Sequence, residues 1–109
     1  MNELEHEKCR PLPPGTPPLA REQIDSRLAR LPGWEHKDGA IGKTFAFGNY
    51  ADTIAFVNGV AAIAQGEDHH PDMLVGYDKC RVTYSTHSIG GVSENDFICA
   101  ARIEALCRI

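Results

Sequence analysis

Asp38-Gly39 interrupts the stretch "WEHKDGAIGKTFAF" between two short runs, residues 34–37 and 41–47. A pair of this kind accepts positive φ at both positions and closes a two-residue hairpin, so the flanking runs pair antiparallel. A second hairpin is expected in "MLVGYDKCRVTYST", where residues 73–77 and 81–86 alternate or run apolar and Asp78-Lys79 makes the turn. Helices fill the rest. Ile24, Leu28 and Leu31 form one helical stripe that Pro32-Gly33 stops. Asn49 can cap a helix through "YADTIAFVNGVAAIAQ", with Ile54, Val57, Ala61 and Ala64 as its apolar face. Ser93 is the expected N-cap of a last helix, with the carboxylate of Asp96 three residues on, at the positive helix end. The order α-β-β-α-β-β-α predicts an α+β fold, a four-stranded antiparallel sheet with three helices packed on one face.

The chain's 109 residues suit one domain with an ordinary apolar share of 42%. Residues 1–18 carry five of the seven prolines and read as a flexible or polyproline extension, leaving residues 19–109 as the single domain. A net charge of −4 argues against a nucleic-acid groove or a polybasic membrane surface. No run of 18 apolar residues occurs and "MNELEHEKC" is polar, so neither a membrane span nor a secretory signal is expected. Cys9, Cys80, Cys99 and Cys107 include no C-x-x-C pair and are expected to be reduced thiols in the cytoplasm. Trp34, Phe45, Phe47, Phe56, Tyr77, Tyr84 and Phe97 are read as core.

The chemistry concentrates in "EDHHPDM" and "STHSIGG". Pro71 forces His70 into an extended conformation, so the rings of His69 and His70 should diverge. The second hairpin returns the chain so that His87 approaches the paired histidines, and Asp96 opens the next helix at the same rim. Imidazoles titrate near neutrality and serve as acid and base, while a carboxylate fixes tautomer and orientation. Three readings stay open on pattern alone: acid–base catalysis, a metal held by His69, His70, His87 and Asp96 or Glu67, and plain structural histidines. The metal reading lacks the usual i, i+4 or i, i+2 spacing. There is no G-x-S-x-G elbow and no phosphate-binding glycine loop.

"HHPDMLVGYDKCRVTYSTHSIGGVSENDF" resembles the signature of the pterin-4a-carbinolamine dehydratases in His69-His70-Pro71, Tyr77, His87 and Asp96. The similarity extends over nearly the whole chain. It implies the same α+β fold, assembled as homodimers or homotetramers. The implied activity is dehydration of 4a-hydroxytetrahydropterin to quinonoid dihydropterin, in support of aromatic amino acid hydroxylation, with no metal or organic cofactor. By this resemblance His69, His70, His87 and Asp96 form the catalytic set, with His69 and His87 moving protons and Asp96 tuning or positioning His87. Gln65, His70, Pro71, Ser85 and Thr86 would bind the substrate. Many relatives carry glutamate at the position of Gln65, arginine at that of Asn95 and tryptophan at that of Met73. The resemblance also admits a non-catalytic role as a dimerisation or assembly partner.

Overall fold

In the computed structural model, which describes residues 3–108, three helices and four strands follow the expected order. They are α1 (Arg21–Leu28), β1 (Glu35–Lys37), β2 (Ala40–Ala46), α2 (Tyr50–Glu67), β3 (Asp72–Val75), β4 (Lys79–Tyr84) and α3 (Glu94–Cys107). The sheet is antiparallel throughout, in the order β1-β2-β4-β3. Asp38 and Gly39 take φ of 53° and 74°, the left-handed pair that the first hairpin requires. Asn49 Oδ1 accepts from the Asp52 amide at 2.8 Å and so caps α2. No helix among the described residues is long and apolar enough to cross a membrane.

Register sets the layers. Ile41 pairs with Tyr84, Lys43 with Val82 and Phe45 with Cys80, so these residues share the face on which the helices pack. Ile41, Cys80, Val82 and Tyr84 are fully buried there against Phe56, Val60, Phe97 and Ile103. Phe45 contacts Phe56 with ring centroids 4.6 Å apart. On the other face Thr44 is exposed and Arg81 and Thr83 are half-buried.

Two local expectations need correction. The buried face of α2 is Thr53, Phe56, Val60 and Ala64, whereas Ile54 and Val57 are half-buried and Ala61 is exposed. The bulk of Phe56 turns the helix so that its ring meets Phe45 and Phe47. The second hairpin turns earlier than Asp78-Lys79. Val75 pairs with Cys80, and the Gly76 amide donates to the Lys79 carbonyl at 2.8 Å. Tyr77 therefore sits at the tip, 67% exposed, rather than in the core. Its carbonyl accepts from Thr53 Oγ1 at 2.9 Å, which pins the tip to α2.

The N-terminal segment is the larger difference. A 3₁₀ turn at Glu3–His6 buries Leu4 in the same hydrophobic cluster as Trp34 and Ile98, and Cys9 packs against that cluster. The Leu19 amide then donates to the Val92 carbonyl at 2.9 Å. A segment with few apolar residues and many prolines can still be ordered when those few find a groove. Leu4→Ala is expected to cost about 2 kcal/mol, read as a lower urea midpoint at constant m. A loose lead-in would leave the midpoint unchanged.

Candidate active site

His69 is fixed by the end of α2. Asp68 adopts the left-handed conformation at φ 51°, ψ 43°, and the His69 amide donates back to the Ala64 carbonyl at 3.1 Å. This is a Schellman-type close, with aspartate tolerated where glycine is commoner. The His69 carbonyl accepts from Tyr84 Oη at 3.0 Å, and the two rings stack with centroids 5.1 Å apart. Backbone, carbonyl and ring are thus each held by a different neighbour.

The ring nitrogen Nε2 of His69 lies 2.5 Å from Asp96 Oδ1. Asp96 is fully buried, three residues beyond the Ser93 cap. Its other oxygen, Oδ2, accepts from the Ser93 amide at 2.8 Å and from Thr86 Oγ1 at 2.9 Å. Since the Thr86 hydroxyl proton goes to Asp96, the Ser93 hydroxyl donates to Thr86 Oγ1 across 2.7 Å. The carboxylate therefore caps a helix and orients an imidazole at once. Burial disfavours the charged ring of His69, but the hydrogen bond and charge of Asp96 outweigh it and raise the pKa above the ordinary 6.5.

His69 opens on a cleft of about 410 Å³, within the range of small-molecule sites. Asp68, Thr86, Ser88 and Asn95 line it on one side, and residues 8–12 of the N-terminal segment wall the other. Glu67 binds that wall: its Oε1 accepts from the Cys9 amide at 2.8 Å, and its Oε2 faces Lys8 at 3.7 Å and Arg102 at 3.6 Å. Burial pushes the Glu67 carboxyl up, but the Cys9 amide and the two cations bring it below its usual range. Asn95 exchanges hydrogen bonds with the Arg10 backbone, 3.1 Å to its N–H and 2.7 Å to its carbonyl.

Of the other sequence candidates, Thr86 lines this cleft, His70, His87, Gln65 and Pro71 do not, and Ser85 lines a separate hollow with His36, Asp72 and Arg81. His70 is exposed, whereas His69 is half-buried. His87 is exposed in a 3₁₀ turn, His87–Ile89, between the cleft residues Thr86 and Ser88. No hydrogen bond joins His87 to Asp96, whose oxygens serve His69, Thr86 and Ser93. The carboxylate partner of His87 expected from the resemblance is thus a partner of His69. Gln65 is exposed near the end of α2, and Pro71 and Ser85 are half-buried. Among the described residues no three His, Cys, Asp or Glu side chains are grouped to hold a metal. Tyr84, Cys9 and Glu67 escaped the acid–base reading. For Tyr84, the period-two alternation of residues 80, 82 and 84 was a usable signal, since it points that ring to the helix-covered face.

Comparison with known proteins bears on this arrangement. The family model described as pterin 4 alpha carbinolamine dehydratase matches residues 17–106. A protein of Nitrosomonas eutropha, provisionally named pterin-4-alpha-carbinolamine dehydratase, is 53% identical over 105 residues, covering 95% of this chain and 93% of its own. Among solved structures, a transcriptional coactivator/pterin dehydratase from Brucella melitensis superposes with a TM-score of 0.78 at 32% identity, covering 82% of this chain and 97% of that one. A pterin dehydratase-like protein described as a RuBisCO assembly factor in the alpha-carboxysome reaches 0.56 at 31% identity, over 67% of this chain and 84% of its own.

Proposed function

Because the chain belongs to the pterin 4 alpha carbinolamine dehydratase family, we propose that it dehydrates 4a-hydroxytetrahydropterin to quinonoid dihydropterin and so recycles pterin for aromatic amino acid hydroxylation. The observation that carries this reading is the His69–Asp96 pair opening on a cleft of suitable size. In the carbinolamine, the N5 lone pair expels hydroxide from C4a once an acid protonates the departing oxygen, and a base then removes a ring proton. His69 suits the acid. With Nε2 committed to Asp96, its Nδ1–H is left for the substrate, and the raised pKa keeps the ring charged further toward neutrality. His87, unpaired by any carboxylate, suits the base. His70, Gln65, Pro71, Ser85 and Thr86 bind the substrate in this reading, Thr86 from the cleft wall and the others from outside its present lining; it involves no metal or organic cofactor and a cytoplasmic homodimer or homotetramer.

The test is decay of enzymatically generated 4a-carbinolamine with and without the protein. Acceleration in proportion to protein supports the reading, and an unchanged decay refutes it. The kcat/KM profile should be bell-shaped. The acid limb reports protonation of the base, and the alkaline limb reports loss of the His69 proton. Asp96→Asn removes the charge that raises the His69 pKa, so the alkaline limb should move to lower pH; a flat profile between pH 5 and 8 counts against the mechanism. A non-catalytic assembly role is favoured by the described role of one structural neighbour. A stoichiometric foreign partner without pterin turnover would support it.

A further inference from the structure

Cys9 and Cys99 stand 90 residues apart in sequence, yet their sulfurs lie 3.5 Å from each other. Cys99 is fully buried on α3, three residues beyond Asp96. Cys9 is half-buried in the irregular segment after the first 3₁₀ turn and faces the cleft beside His69. The other two cysteines differ in kind, Cys80 being buried in the sheet and Cys107 exposed at the end of α3.

We propose that Cys9 and Cys99 are a peroxide-sensitive modification site, which closes to an intrachain disulfide and tethers the N-terminal wall of the cleft to α3. A disulfide length of about 2.05 Å requires the sulfurs to close by roughly 1.5 Å from their present 3.5 Å. The helix does not need to move. Residues 7–12 carry no regular structure and can supply the shift. Either sulfur can donate to the other, and Cys9 is the member open to the cleft and so the one that peroxide reaches. The contact also eases loss of the first proton and hinders loss of the second, pulling Cys99 down and pushing Cys9 up.

The oxidant is hydrogen peroxide. The Cys9 sulfur attacks one peroxide oxygen; an S–O bond forms, the O–O bond breaks, and the departing hydroxide takes the thiol proton as water. The Cys99 sulfur then attacks the Cys9 sulfur; the S–S bond forms, the S–O bond breaks, and the second hydroxide leaves as water with the Cys99 proton. Two thiols lose two electrons to one peroxide and two waters result. The wall so fixed carries the Cys9 amide bond to Glu67 and the Arg10 bonds to Asn95, so the modification acts on the side of the cleft opposite Thr86.

The experiment treats the full chain, native and reduced, with equimolar hydrogen peroxide and maps peptides without reduction. The expected result is one dominant Cys9–Cys99 link, loss of two of four titratable thiols, and full reversal by dithiothreitol. Closing so long a loop should raise the Tm of oxidised wild type by roughly 10 °C, with no rise in Cys9→Ser or Cys99→Ala. Four thiols remaining, over-oxidised Cys9 without a link, or crosslinks through Cys107 in its place would each overturn the proposal. These readouts stand apart from pterin turnover, so they judge the thiol pair whatever the dehydration assay returns.

Discussion

His87→Ala is expected to lower carbinolamine turnover by about 10²–10⁴-fold, the usual contribution of one positioned acid or base, while leaving the unfolding midpoint almost unmoved. The contrast follows from position. His87 is exposed in its 3₁₀ turn and has neither a carboxylate nor a stacked ring beside it. Surface substitutions of that kind stay within about 0.5 kcal/mol. His69→Gln should bring a similar loss of turnover for a different reason. The amide can still hydrogen-bond Asp96, so the carboxylate keeps a partner, but it cannot deliver a proton. Initial rates of 4a-carbinolamine decay, measured with urea midpoints on the same preparations, separate catalysis from folding. If both variants dehydrate the carbinolamine as fast as the parent, the histidine mechanism fails.

Those two histidines also mark where the sequence stops informing. Turn and cap chemistry is local, so Asp38-Gly39 and Asn49 announced the first hairpin and the start of α2 without reference to anything distant. The face of α2 was less legible. Apolar residues occupy most of that helix, and only the position of Phe45 on the sheet decides that Phe56 faces inward. The N-terminal segment was illegible for the opposite reason. Leu4 and Cys9 are too sparse to form a period, and their burial depends on a groove made by α3. At the site, spacing brought Asp96 to the histidine rim but could not choose its partner. The choice is made by Asp68, whose left-handed turn aims His69 at the helix start.

Asp96→Ala is expected to destabilise the protein by about 3–5 kcal/mol, the range for removing one member of a buried charged pair. The loss has several parts. The Ser93 amide and the Thr86 hydroxyl lose a buried acceptor, the first turn of α3 loses its carboxylate, and His69 loses the partner of its ring. Leaving His69 buried without a counter-charge favours the neutral ring, so its contribution to stability changes with pH. In the parent, the His69 pKa is raised on folding, so its share of stability is complete below the ordinary imidazole value of 6.5 and fades as pH rises through the raised value. The variant lacks that fading share. The gap between parent and variant in urea unfolding should therefore be widest on the acid side of neutrality and narrow as pH climbs toward 9. A gap under 1 kcal/mol at pH 6 would mean that Asp96 does not hold this corner of the fold. A gap that stays constant from pH 6 to 9 would mean that its bond to His69 contributes equally to both protonation states, contrary to the charge pairing that makes His69 an acid.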